Sequence, residues 1–148
     1  MNQDFRELLL AFNDGNVEYL VIGAHALAAY GHVRATKDLD LWIRPDPNNA
    51  GKVIVALTNF GAPLIDLSKE DLMTQGTVFQ IGMAPLRIDL ITSVDGVEFV
   101  DAWNNRSEIN FGGVPAFIIS KQHLIANKRA TGRLQDLIDV EQLEGDLT

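Results

Sequence analysis

The sequence predicts an α/β or α+β domain, in which a mixed β-sheet is flanked by helices and followed by a C-terminal helical segment. Three observations indicate this class. Apolar residues recur with helical spacing in several segments and alternate with short, strand-like apolar runs. Glycine or proline stands at many of the junctions. Residues 120–148 carry two further helical patterns, so we expect residues 1–119 to form the α/β core and the tail to pack on it within a single domain.

The first predicted elements are a helix and a buried strand. Four apolar residues recur at i, i+3, i+4 and i+7 and therefore share one helical face: Phe5, Leu8, Leu9 and Phe12. Asn2 or Asp4 can cap the start of this helix, and Gly15 stands where it should end. The short apolar run Tyr19–Ile22 then predicts a buried strand, which Gly23 ends.

A second helix, a second strand and a third helix follow. Residues 24–30 are rich in alanine and predict a short helix. Residues 39–43 alternate in character and predict a strand. Asp46 followed by Pro47 is typical of an N-cap with proline at the first helical position, and Gly61 is expected to close that helix.

The second half of the chain predicts four more strands. Residues 77–81 and 86–91 are strand-like and are separated by a glycine and a proline. Residues 109–111 and 114–119 flank two consecutive glycines, which is a hairpin signal.

Two helices are predicted at the C-terminus. Ser120 is placed to cap a helix that runs to about Arg129, and Gly132 breaks it. A final helix carries three apolar residues at helical spacing: Leu134, Leu137 and Ile138.

The composition excludes several classes of protein. The 148 residues include no cysteine, which removes disulfides, zinc–thiolate sites and cysteine nucleophiles. No apolar run approaches the ~20 residues of a membrane span, so we expect no membrane partner. The N-terminus has no basic segment before its apolar stretch and no cleavage-site pattern, so we expect no signal peptide and a cytoplasmic location. A formal net charge of −8 argues against a general nucleic-acid coating protein, because phosphates would be repelled.

The candidate chemistry lies in acidic residues on two strands. Because residues i and i+2 of a strand point to one face, Asp38 and Asp40 are expected side by side, with Leu39 in the core. Asp89 lies in another apolar strand, where a carboxylate is costly unless it is paired or metal-bound. On neighbouring strands, the three carboxylates would meet. Such oxygen ligands suit Mg²⁺, and three of them can hold two ions for an in-line phosphoryl displacement.

Gly23 is the second part of the candidate site. A glycine between a strand and a helix lets a phosphate approach the backbone, and the start of the helix offers free N–H groups. Gly23 and Ala24 are therefore predicted to hold phosphates. His25 follows them and is a further candidate for lining the pocket, although a histidine in such a position more often packs.

These motifs resemble those of the nucleotidyltransferase superfamily, which has the DNA polymerase β-like fold. The resemblance is greatest to small bacterial members, the minimal nucleotidyltransferases and the AbiEii-type toxin enzymes. That family has a hydrophobic-Gly-(Gly/Ser) turn, then Asp-x-(Asp/Glu), then a third acid on a later strand. The matching segments here are Val21-Ile22-Gly23-Ala24, Asp38-Leu39-Asp40 and Ile88-Asp89-Leu90, with residues 124–139 resembling the family's helical tail. Ala24 departs from the usual Gly or Ser, and the interval from Gly23 to Asp38 is long.

The resemblance implies a nucleotidyltransferase-like mixed sheet and a metal-dependent enzyme. Such an enzyme transfers a nucleoside monophosphate from an NTP to an acceptor hydroxyl and releases pyrophosphate. Asp38 and Asp40 would bind Mg²⁺, with Asp40 bridging two ions. Asp89 would hold the second ion and help to deprotonate the acceptor. Mn²⁺ is an alternative metal.

Three basic residues are further candidates for phosphate contact. Arg34 and Lys37 precede the acidic pair, where a solvated loop is an equal alternative. Lys128 matches the family's tail and lies in residues 120–134, a segment with four basic residues and no acidic one. Its alternative role is to offset the dipole at the end of a helix.

Other functions stay open at this stage. A regulatory or interaction protein, such as a toxin–antitoxin partner, would need no turnover, and a nucleotide-binding module would hold an NTP without transferring it. Asp89 can instead pair with Arg87 or Arg34, or lie exposed on an edge of the sheet. The acceptor could be a protein side chain, a tRNA end or a small molecule such as an aminoglycoside. Because no separate substrate domain is evident, a homodimer or a partner subunit is a candidate for completing the site.

Overall fold

A computed structural model describes residues 2–82 and 87–145 and contains a six-stranded mixed sheet. Its strands are β1 (Tyr19–Ile22), β2 (Asp38–Ile43), β3 (Val78–Ile81), β4 (Arg87–Ile91), β5 (Ser107–Phe111) and β6 (Val114–Ile118). Their order across the sheet is β3-β4-β2-β1-β6-β5. The pairs β2–β4 and β1–β6 are parallel, and the other neighbouring pairs are antiparallel. This architecture confirms the predicted fold class.

Helices flank the sheet. Those of the described residues are α1 (Gln3–Asp14), α2 (Gly23–Ala29), α3 (Pro47–Phe60), α4 (Phe99–Asn104), α5 (Lys121–Thr131) and α6 (Leu134–Gly145). A short 3₁₀ helix covers Asp71–Met73. None of the described helices is long and apolar enough to cross a membrane.

The predicted helix starts are confirmed by capping side chains. Asn2, Asp46 and Ser120 each accept a hydrogen bond from the backbone N–H three residues later. Such a cap typically contributes about 1 kcal/mol to stability. Pro47 lies at the first helical position of α3, and Gly61 ends α3 in the left-handed conformation with φ 94°. The local signals of the sequence thus correctly placed these ends.

The hydrophobic core includes the buried residues of the central strands and those where the C-terminal helices pack against the rest of the chain. Every residue of β1 is buried, and so are the four predicted core residues of α1. Side chains of α5 and α6 belong to the same buried cluster, through Leu124, Val140 and Leu143. The C-terminal helices therefore pack against the α/β core.

Element boundaries differ from the predictions by one or two residues where both can be compared. The predicted strand 86–91 starts at Leu86, which lies outside the described residues. Helix α4 was not predicted, because its six residues are too few to show a helical period; its buried residues are Phe99 and Ala102.

Helix α6 buries two acidic residues and leaves three apolar residues exposed. Its predicted apolar residues are largely exposed: Leu134 at 76%, Leu137 at 40% and Ile138 at 40%. Its inward face instead carries Asp136 and Asp139 together with apolar residues. Buried acids on this face are tolerated only because cations meet them there, as described below.

Candidate active site

The three predicted acids lie together on one region of the sheet. Asp38 and Asp40 are two residues apart on β2 and therefore share a face. Strand β4 pairs with β2 in parallel register, which places Asp40 opposite Asp89 and Asp38 opposite Arg87. Asp89 is 8% exposed, whereas Asp38 keeps 38% of its side-chain surface exposed. The pairing of β2 with β4 thus brings together acids that lie far apart in the sequence.

Gly23 lies directly against this acidic surface. It starts α2 with a positive φ of 69°, a conformation that L side chains rarely adopt. A Cβ atom built on Gly23 would collide with the carboxylate Oδ2 of Asp40. Glycine is therefore required here for two reasons, the backbone conformation and the closeness of Asp40. The predicted proximity of the glycine turn to the acids is observed.

The carboxyl group of Asp40 is strongly perturbed. Its pKa is raised to about 6, chiefly by burial and then by the negative charges of Asp89 and Asp38. Arg87 acts in the opposite direction with a smaller effect. A carboxylate kept in this environment is poorly compensated and would gain from a nearby cation.

Arg87 bridges the two outer acids. Its Nη2 donates a hydrogen bond to Asp38 Oδ2 over 3.0 Å. Its Nε lies 3.1 Å from Asp89 Oδ1, but these two buried atoms are not aligned for a hydrogen bond with each other or with another described group. The pairing of Asp89 with Arg87 was one of the interpretations that the sequence left open for this acid.

The acids are not arranged as a ready-made metal site. Within residues 2–82 and 87–145, no group of three or more His, Cys, Asp or Glu side chains is placed to hold an ion. Asp38 and Asp89 instead face the guanidinium of Arg87. The carboxylates therefore share a surface without converging on one point.

A cavity of about 270 Å³ opens beside Asp40 and Gly23. Residues of the loop after β4 line one side of it, and residues of α5 and α6 line the other; among them are Ser93, Asp95, Asn127, Lys128, Thr131 and Arg133. Asn127 Nδ2 donates to the backbone carbonyl of Asp95 and so ties the loop to α5. The C-terminal helices thus form a wall of the candidate site.

Lys128 lines this cavity, but its ammonium is already engaged, contrary to the prediction of a phosphate contact. The residue is 7% exposed, and Nζ donates to Asp136 Oδ1 over 3.0 Å and to Asp139 Oδ2 over 2.9 Å. Burial alone would raise the pKa of both carboxyls, but hydrogen bonds that include those from Lys128 outweigh it and lower both values. Lys128 is thus part of a buried ion network.

Arg34 is also drawn into this network rather than left for phosphate. Its guanidinium pairs with Asp139, which is fully buried, and Nη1 donates to Asp139 Oδ2 over 3.2 Å. Asp139 therefore connects α6 to the loop that leads into β2. Lys37, in the same loop, has an exposed side chain.

His25 packs instead of lining a phosphate pocket. Its ring meets Phe5 and Phe111 edge-on, with centroids 5.7 Å and 5.3 Å away. Burial lowers its pKa, and Nε2 is buried with no hydrogen-bond partner among the described groups. An uncharged, aromatic-packed imidazole is a poor phosphate ligand. Ala24 lies in the first turn of α2, next to Gly23.

Sequence reasoning missed the acids of α6. Asp136 and Asp139 are separated by three residues and therefore share a helical face, and Lys128 and Arg133 precede them. The apolar residues between them, Leu137 and Ile138, pointed to the other face of the helix as the buried one. Only the packing of α6 against α5 shows which face is inside.

A larger cavity of about 490 Å³ lies elsewhere. It is lined mainly by the segment before β1 and by parts of β5 and β6, with Trp103 and Lys52 also present. None of the predicted site residues lines it, so its size does not make it the candidate active site.

Comparison with known proteins shows the fold. No protein-family model matches the sequence, and no curated protein matches it either. Several solved structures resemble the chain over nearly its whole length. A lincosamide antibiotic adenylyltransferase, LnuA, bound to lincomycin, has a TM-score of 0.59 at 15% identity, covering 97% of this chain and 96% of its own.

Two further structures support the same fold. TM1012, a nucleotidyltransferase candidate from Thermotoga maritima, has a TM-score of 0.62 at 13% identity, covering 97% of this chain and 89% of its own. ANT(2")-Ia in complex with adenylyl-2"-tobramycin has a TM-score of 0.61 at 13% identity, covering 97% and 87%. The chain therefore has the nucleotidyltransferase fold that its motifs predicted. The narrower resemblance to AbiEii-type enzymes stays a prediction.

Proposed function

We propose that this chain transfers a nucleoside monophosphate from an NTP to an acceptor hydroxyl and releases pyrophosphate. The observation that carries the proposal is the pairing of β2 with β4, which sets Asp38, Asp40 and Asp89 on one surface beside Gly23. The nucleotidyltransferase fold supports the same reaction class. Intact acids at all three positions favour an enzyme over a regulatory protein of the same fold.

We propose Mg²⁺ as the cofactor, with Mn²⁺ as an alternative. The donors are hard carboxylate oxygens, which suit Mg²⁺. Asp40 carries a pKa raised to about 6 because neighbouring acids and burial oppose its charge, and a divalent cation would relieve both. Asp38 and Asp40 would hold one ion, and Asp40 and Asp89 the other. The donor chemistry of the three acids therefore suits this cofactor, and binding would draw together carboxylates that share a surface without converging on one point.

Catalysis on this surface would be mainly positioning and charge neutralisation. The bound metal would supply charge for the triphosphate and acidify the acceptor hydroxyl. Gly23, with no side chain over Asp40, leaves the backbone open to phosphates. Asp89 would accept the proton of the acceptor, and its position opposite Asp40 supports this role.

The ion network of α5 and α6 would position the site rather than bind phosphate itself. Lys128 and Arg34 both hold Asp139, and Arg34 lies in the loop before Asp38. This arrangement fixes the C-terminal helices against the acidic strand. Lys37, which is exposed in the same loop, is the better candidate for contact with the triphosphate.

A small hydroxyl-bearing molecule is the proposed acceptor. Two of the similar structures hold lincomycin and an adenylylated tobramycin. At 13–15% identity they share a fold with this chain, and their ligands define the first compounds to screen rather than its substrate. The cavity beside Asp40 has room for part of such a molecule.

Calorimetry provides the direct test. Each NTP is titrated into the protein with Mg²⁺ or Mn²⁺, and the Asp38→Asn/Asp40→Asn variant is measured in parallel. We expect metal-dependent binding of an NTP in the wild-type chain and its loss in the variant. A matched control, Asp66→Asn/Asp101→Asn, removes the same charge from two exposed positions and should bind as wild type does.

Turnover is tested with acceptors present. Pyrophosphate release is measured with each NTP, and NTP labelled at the α-phosphate reports transfer to panels of aminoglycosides, lincosamides, tRNA and protein. Transfer of label that depends on Asp40 and Asp89 would support the enzyme. Failure to bind any NTP with either metal would overturn the proposal, and NTP binding without label transfer to any class would favour a nucleotide-binding module.

A further inference from the structure

Arg87 lies inside the acidic cluster, although no part of the proposed mechanism uses it. It follows the undescribed residues 83–86 and begins β4, where its backbone pairs with Asp38. Its guanidinium reaches both outer acids, with Nη2 3.0 Å from Asp38 and Nε 3.1 Å from Asp89. The positively charged guanidinium of Arg87 therefore already lies between two of the three carboxylates proposed to bind metal.

The two contacts of Arg87 differ in quality. The contact with Asp38 is a hydrogen bond, and both of its side chains are more than a third exposed. The contact with Asp89 lacks hydrogen-bond alignment, even though both atoms are buried. Buried polar atoms are usually hydrogen-bonded, so this contact is an incomplete one. The guanidinium is thus held by one hydrogen bond, to Asp38, and by its attraction to the negative charge of the cluster.

We propose that Arg87 is the resident counter-cation of the acidic cluster and that it sets the affinity of the cluster for divalent metal by competing for Asp38 and Asp89. This inference rests on the proposed metal-binding role of the three acids. Each ion of the proposed pair needs oxygen from an acid that Arg87 now contacts. Metal and guanidinium would therefore draw on the same two carboxylates, and each positive charge would oppose the other.

Electrostatics predict the direction in which removal of Arg87 should change the affinity for a divalent ion. Removing the guanidinium leaves the three acids with one positive charge fewer and frees two carboxylate oxygens. A divalent ion should then bind more tightly, by about tenfold for a partly exposed site. The same change should destabilise the metal-free chain, because the repulsion among the acids is no longer offset.

The test uses Mn²⁺ alone, without nucleotide, on the full chain. The Mn²⁺ dissociation constant is measured by electron paramagnetic resonance for wild type, Arg87→Gln and Arg87→Lys. The charge-matched control is Arg6→Gln, which removes a half-buried cation from α1 that donates to the Gly112 carbonyl of the β5–β6 hairpin, on the other half of the sheet. We expect Arg87→Gln to bind about tenfold more tightly, Arg87→Lys to lie between it and wild type, and Arg6→Gln to match wild type.

Thermal unfolding provides a second readout that does not depend on catalysis. Arg87→Gln should melt at a lower temperature than wild type in EDTA and gain more than wild type when Mn²⁺ is added. Unchanged or weaker Mn²⁺ binding in Arg87→Gln, with wild type binding the ion, would overturn the role of Arg87 and leave the proposed function standing. If neither protein binds Mn²⁺, the metal site of the proposed function is overturned as well.

Discussion

Asp40 of β2 and Asp89 of β4 are directly opposite each other in a parallel pair of strands. Residues in such register bring like charges close together, which destabilises a sheet unless a cation or a shared proton offsets it. Arg87 offsets part of this repulsion through Asp38 and Asp89, while Asp40 keeps a pKa raised to about 6. Charge repulsion among the three acids thus destabilises the folded chain at the place where the proposed function would put a metal ion.

This cost predicts a pH-dependent stability of the metal-free chain. Because the pKa of Asp40 is raised from 3.8 to about 6 on folding, the folded state binds the proton more tightly, and stability should fall as pH rises from about 4 to 6. Asp40→Asn should stabilise the chain above pH 6 by about 1–2 kcal/mol, and this gain should disappear towards pH 4. Urea unfolding in EDTA measures both. Asp101→Asn is the control, and a variant less stable than wild type at pH 7.5 would contradict the assignment.

Replacing Gly23 by alanine should disable the site. The alanine backbone must keep a positive φ, at a cost of about 1–2 kcal/mol, and its new Cβ must also displace the Asp40 carboxylate. Gly31→Ala separates the two effects, because Gly31 has a positive φ of 97° but nothing within 4 Å of a Cβ. We expect similar strain in both variants, measured by chemical denaturation, but loss of Mn²⁺ and NTP binding only in Gly23→Ala. Equal binding by the two variants would rule out the contact with Asp40 as the reason.

Removing Lys128 should strongly destabilise the fold. Lys128→Met leaves Asp136 and Asp139 buried without their shared ammonium, and breaking a buried ion pair in this way typically costs about 3–5 kcal/mol. Arg129→Met, one residue along the same helix, breaks only an exposed pair with Glu144 and should cost less than about 1 kcal/mol. Urea denaturation at pH 7 compares them. A small effect of Lys128→Met would show that the other cations of the network suffice.

The network also predicts acid sensitivity of the opposite sign to that of Asp40. The pKa of Asp139 is lowered on folding, so its contribution is present above the ordinary carboxyl value and is lost as pH falls through the lower, folded value. Asp139→Asn should therefore remove stability at pH 7 and flatten the loss of wild-type stability below pH 4. An acid unfolding profile that Asp139→Asn leaves unchanged would contradict this.

Lys37 and Arg34 should differ in role: Lys37 should contribute to NTP binding and Arg34 to the stability of the fold. Lys37→Ala removes an exposed cation beside the acidic strand and should weaken NTP binding about threefold to tenfold without a change in stability. Arg34→Ala breaks the pair with buried Asp139 and should lower the melting temperature. Calorimetry and thermal unfolding of both variants test the split. Loss of stability in Lys37→Ala or an unchanged melting temperature in Arg34→Ala would reverse the assignment.

Local signals were sufficient for much of the fold. Helix caps at Asp46 and Ser120 and the apolar face of α1 were correctly predicted because backbone capping and apolar periodicity act over a few residues. Helix α4 was not predicted, because its six residues are too few to show a helical period. The buried acids of α6 were not predicted, since a charged residue can be buried where a distant cation meets it, and no local pattern reports that cation.

The sequence by itself determined the elements, the mixed α/β class and the acids on which a site could be built. Alternation alone places Asp38 and Asp40 on one face of β2, because side chains of a strand alternate. Only the tertiary structure decided that Asp89 lies opposite Asp40, that Arg87 contacts both Asp38 and Asp89, and that Lys128 pairs with acids of α6. These contacts depend on strand order and helix packing, which join residues far apart in the chain, and burial then turns each of those pairings into a large electrostatic effect.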